Sequence, residues 1–79
     1  MGTTTSMVSI SLVVDLAPPA GALDDIAHVI SAEHEVTVVI EVVGKKEVVR
    51  IKGATRNVLQ ARKDMQRRAA EFGGLLRLK

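Results

Sequence analysis

The sequence predicts an α+β domain: a three-stranded antiparallel sheet with helices on one face, in the order β-α-β-β-α. Three features predict it. Strand-like segments alternate apolar and polar residues with period two, while two other segments repeat their apolar residues at spacings of three and four. A "GKKE" turn then joins the second and third strand segments as a hairpin. Seventy-nine residues supply one hydrophobic core and no more. Residues 1–79 are therefore read as a single domain, with 1–6 a flexible tail and 75–79 a C-terminal extension.

The first strand follows from Val8, Ile10, Leu12, Val14 and Leu16, which fall at every second position with Ser9, Ser11 and Asp15 between them. Pro18 and Pro19 end it, because proline donates no ladder hydrogen bond. A helix follows from about Ala22 to Glu33. Its apolar face is Leu23, Ile26, Ala27 and Ile30, and Asp24 and Asp25 sit in the first turn, where the helix dipole favours anions. "AEHE" closes it without a glycine. Val36 to Val43 is the second strand and the most apolar segment. In the third, Glu47 to Lys52, Val49 and Ile51 alternate with Val48, Arg50 and Lys52. The last helix, roughly Ala54 to Phe72, carries the stripe Val58, Ala61, Met65, Ala69 and Phe72, which places Phe72 in the core. Gly73-Gly74 caps it. The remaining "LLRLK" is too short for an independent element, and it extends the sheet, packs on it or frays.

Composition narrows the chemistry. Hydrophobic residues make up 47% of the chain but are almost all aliphatic, with Phe72 the one aromatic, so little is available to stack on bases. The absence of cysteine removes disulfides and thiolate metal sites. His28 and His34, six positions apart, do not share a helix face, and adjacent Asp24 and Asp25 diverge by about 100°, so neither pair converges on a metal or substrate. No P-loop, dinucleotide fingerprint or paired nucleophile and base is present. The expectation is a non-enzymatic domain with no cofactor and no small-molecule substrate. With no signal-like or membrane-spanning run, an intracellular location, cytoplasmic or nuclear, is expected. Met1-Gly2 with Ser6 meets the loose pattern for N-terminal acylation, but a polar tail is the simpler reading.

Charge is divided along the chain. Residues 1–44 carry six acidic and no basic side chains, while residues 45–79 carry all eleven Lys and Arg against Glu47, Asp64 and Glu71. Such a division suits a nucleic-acid surface, and it suits equally two oppositely charged elements that face each other within one domain.

Ile51-x-Gly53 followed by Val58, Ala61 and Met65 resembles the closing half of KH domains, the small RNA-binding modules. There an apolar-x-Gly step leaves the last strand, and a small residue lets the following helix lie close on the sheet. With "VSISLVVDL" as first strand, the resemblance implies the type I arrangement. It departs from that family between the first two strands. Ala17 to Glu35 holds one glycine, Gly21, and no GxxG loop to approach a phosphate backbone. The resemblance thus implies a divergent KH-like module of an RNA-regulatory protein. Its intrinsic RNA binding is weak or absent, and its role is that of a scaffold or protein contact. The alternative is a working single-stranded RNA- or DNA-binding domain that uses its basic half through Lys45, Lys46, Arg50, Lys52, Arg56, Lys63 and Arg67. For protein partners or self-association, the expected surface is the open sheet face or an edge strand, with Val13, Val39 and Val43 exposed.

Overall fold

A computed structural model describes residues 6–79 of the chain. Its elements are β1 (Met7–Leu16), α1 (Ala22–His34), β2 (Thr37–Val43), β3 (Lys46–Ala54), α2 (Thr55–Glu71) and β4 (Leu75–Leu78). The sheet has four strands in the order β2-β3-β1-β4, and every neighbouring pair is antiparallel. This overturns the three-stranded KH arrangement. The order β-α-β-β-α-β with β3 between β1 and β2 is the split β-α-β, or ferredoxin-like, topology. The KH reading, and the RNA-binding identity attached to it, fall with the topology that carried them.

The fourth strand is the element that the sequence left open, and of the three alternatives for "LLRLK" the one that holds is extension of the sheet. Gly73 takes a left-handed φ of 79°. The N–H of Gly73 then bonds to the Ala70 carbonyl and that of Gly74 to the Ala69 carbonyl, a Schellman closure of α2. The chain thereby returns alongside β1, where Val14 pairs with Leu76 and Leu12 with Leu78. Leu76 enters the core at 3% exposure. So short a run has no stable conformation alone, and β1's free edge supplies the partner that makes it a strand.

One core lies between the sheet and both helices. Leu12, Val14, Val49, Ile51 and Leu76 meet Leu23, Ile26, Ile30, Val58, Ala61, Met65 and Ala69. The spacing of three and four selected those helix positions, and Ala61 is fully buried where α2 lies on the sheet. Phe72 departs from the expected stripe. It is the residue that ends α2, and it stays 55% exposed in a groove beside Ile26 and Val29. Gly53 also differs from the resemblance, in which the glycine step leaves the last strand. It remains within β3, and a Cβ there would stand 3.1 Å from Val36 Cγ1, so glycine admits the chain that enters β2. Of the expected tail and the acylation pattern, all but Ser6 lies outside the described residues. The Ser6 carbonyl accepts the N–H of Thr55 at 3.0 Å.

Candidate functional site

The face of the sheet away from the helices is built in rows set by register. Glu41 pairs with Val48, Val48 with Val13, and Val13 with Arg77, so these four side chains cross the sheet in one line. The next line contains Val39, Arg50 and Ser11, and the one after it Thr37, Lys52 and Ser9. Asp15, two residues beyond Val13, receives the Arg77 guanidinium at 2.8 Å and the Lys46 ammonium at 3.4 Å. Glu41 meets Arg50 at 3.1 Å. The aliphatic stems of these side chains lie beside the two central valines. Val13 and Val48 are therefore 8% and 5% exposed although no helix covers them. Val13, expected as an exposed contact, is not available for one. The Arg77 hydrogen bond holds the Asp15 carboxyl below its usual range, helped by the charges of Arg77 and Lys46 against the opposing effect of desolvation.

The seven basic candidates divide between two layers. Arg50, Lys52 and Lys46 belong to β3 and Lys45 to the turn before it, whereas Arg56, Lys63 and Arg67 belong to α2 on the opposite side of the sheet. The fold therefore does not gather them into one strip. Several are also engaged: Lys46 by Asp15, Arg50 by Glu41, and Arg67 by Asp64 and Glu71. The division of charge along the sequence is thus partly closed within the fold, since Asp15, Glu33 and Glu41 all meet bases from the second half.

A second polar centre joins the helices. Asp64 on α2 accepts hydrogen bonds from His34 Nε2 at 3.0 Å, from Arg68 Nε at 3.1 Å and from Arg67. Arg68 also reaches Glu33. The His34 hydrogen bond, ahead of those from Arg67 and Arg68, pulls the Asp64 carboxyl from 3.8 down to about 2 despite its partial burial. No local pattern signals this link, because His34 and Asp64 stand thirty residues apart. The cluster clamps the end of α1 to α2. Its carboxylate is already saturated with donors from its own chain, which leaves it a structural part.

The edge at β2 is different. Val39, Val42 and Val43 are 44%, 73% and 52% exposed. Gly44, with φ 65°, opens a two-residue turn that closes on the pair Val43–Lys46. In a two-residue hairpin that closing pair is hydrogen-bonded, so alternation directs the backbone N–H and C=O of Thr37, Val39, Glu41 and Val43 toward β3. Those of Val38, Ile40 and Val42 then point outward, away from the sheet. On the helix side of this edge an open groove is lined by Asp24, Ala27, His28 and Ser31 from α1 and by Val38 and Ile40. Glu41 is the one charged residue in the strand.

Among the described residues no group of three or more His, Asp or Glu gathers to hold a metal ion, and no helix is long and apolar enough to cross a membrane. In comparisons with known proteins, no family model, no curated protein and no solved structure matches this chain.

Proposed function

We propose that this chain is a non-enzymatic protein-interaction module that accepts an extended strand from its partner at the β2 edge. The observation that carries the proposal is the combination on one strand of outward backbone groups and exposed valines, without the lysines or prolines that guard most sheet edges. Strand addition satisfies the backbone groups with main-chain hydrogen bonds, while alternate side chains of the incoming strand meet the valines. Because the hydrogen bonds are to backbone, the edge selects for extended, apolar segments more than for a fixed sequence.

A titration of the isotope-labelled domain with a lysine-flanked peptide of alternating valine and threonine tests this reading. The expected result is shift changes and slowed exchange at the amides of Val38, Ile40 and Val42, with α2 unaffected. Changes confined to α2 or β4, or none at millimolar peptide, overturn it.

A further inference from the structure

We infer that the strand which β2 accepts is β2 of a second copy of this chain, paired antiparallel about a two-fold axis at Ile40. The inference rests on the edge reading above and names its partner.

The outward backbone groups restrict the register to pairings among Val38, Ile40 and Val42, and a two-fold axis at Ile40 is the one that uses all three in both copies. An antiparallel hydrogen-bonded pair requires both residues to point at each other. A two-fold axis at Ile40 sets Ile40 opposite Ile40 of the second copy and Val38 opposite its Val42, and each of these residues has its N–H and C=O outward. About six inter-chain hydrogen bonds result, and none is taken from β3. A shift by one residue would set outward groups against inward ones and lose the ladder.

The side chains agree with that register. Val38, Ile40 and Val42 share the helix side of the sheet, where Val38 and Ile40 already pack partly against the core. Val42, at 73% exposure, has little cover in its own copy. In the pair it lies beside Val38 of the other copy, where the groove under α1 is open. On the opposite side of the sheet Val39 faces Glu41 of the second copy, so the two Glu41 carboxylates are not set directly against each other. Arg50, the neighbour of Val39 in β3, stands one strand further in. Each Glu41 is therefore placed between its own Arg50, at 3.1 Å, and the arginine of the other copy. With strands about 4.8 Å apart, that second guanidinium is within side-chain reach. A foreign strand would need this pattern by chance, whereas β2 already has it.

A single edge buries less than the roughly 1,200 Å² of standard interfaces, so a weak dimer is expected, with a dissociation constant on the order of 100 μM. Sedimentation equilibrium from low micromolar to millimolar chain should show this dimer. Val42→Lys places an ammonium in the seam, and Val42→Pro deletes an outward N–H without touching a bond to β3. Both should weaken association at least about tenfold while the dilute protein keeps its melting temperature. The register is read by cysteine pairing, since the chain has no cysteine of its own. Val39→Cys mixed with Glu41→Cys should form a disulfide, because a non-hydrogen-bonded pair sets Cα atoms about 4.5 Å apart. Either variant alone should not, its own copies lying about 7–8 Å apart diagonally. A monomer at every concentration overturns the inference, as does a dimer indifferent to Val42→Pro or cysteine coupling as efficient in one variant as in the mixture. If the chain is monomeric while the valine–threonine peptide still binds β2, the second copy is wrong and the edge reading stands. If the peptide fails as well, both fall.

Discussion

The two edges of this sheet are built in opposite ways. β4 is four residues long, Arg77 stands within it and Lys79 follows it, and its position is fixed by Leu76 in the core. β2 is seven residues long, has one charge and leaves three valines open. Both present unpaired backbone, but only β4 carries the short length and positive charge that discourage another strand. An edge that is integral to the core can be short and guarded. One that is long, apolar and lightly anchored is suited to receive a partner.

The largest expected effect tests how differently the two edges serve the monomer. Leu76→Ala should cost about 2–4 kcal/mol, because a buried leucine leaves a cavity between β4 and α2. Val42→Ala, at an exposed position, should stay within about 0.5 kcal/mol in dilute protein. Urea denaturation measures both, and comparable losses would erase the distinction.

The next effect concerns the clamp from which β2 begins. The carboxyl of Asp64 releases its proton more readily in the folded chain, at about 2, than at its ordinary 3.8. Its contribution to stability is therefore complete above pH about 4 and lost as pH falls through about 2. Wild-type protein should lose melting temperature over that window, and Asp64→Asn should show a flatter acid slope. An identical slope in the variant would remove Asp64 from the account.

A smaller effect is expected from Asp15→Asn, which loosens Arg77 and Lys46 over Val13 and Val48. Hydrogen exchange at the amides of Val13 and Arg77, the hydrogen-bonded pair of β1 and β4, should quicken while β2 amides change little. Equal changes at both edges would mean that the ion pairs do not hold β4 in particular.

The smallest change is a gain. Glu35 ends α1 with φ 52°, in the left-handed region where a side chain costs about 1–2 kcal/mol. Glu35→Gly should raise stability by about 0.5–1 kcal/mol, the added freedom of the unfolded chain offsetting part of the relief. Thermal melting would read it, and association through β2 should be unaffected.

Most of the elements were legible because each carries its own period. The alternation of Val8 to Leu16 and the helix stripes of Leu23 to Ile30 and Val58 to Met65 are local consequences of strand and helix geometry. The residues that escaped are those whose state depends on a distant neighbour. Leu76 lies in a run that could extend the sheet, pack on it or fray until β1 stands beside it. Val13 reads as exposed until Asp15 draws Arg77 and Lys46 across its face. Phe72 continues a helical stripe on paper, but the helix ends at that position and turns it out. His34 acquires its role only when α2 brings Asp64 to it.

The sequence by itself determined the first three strands, the two helices and their buried faces, and where the β2–β3 hairpin turns, since periodicity and turn chemistry act over a few residues. The tertiary structure alone decided the number and order of the strands. It also decided the partners of the charges, and that β2 is an edge rather than an interior strand. Those outcomes rest on contacts between residues dozens of positions apart. A short apolar run such as Leu75–Leu78 has too few local interactions to choose its place before the sheet exists.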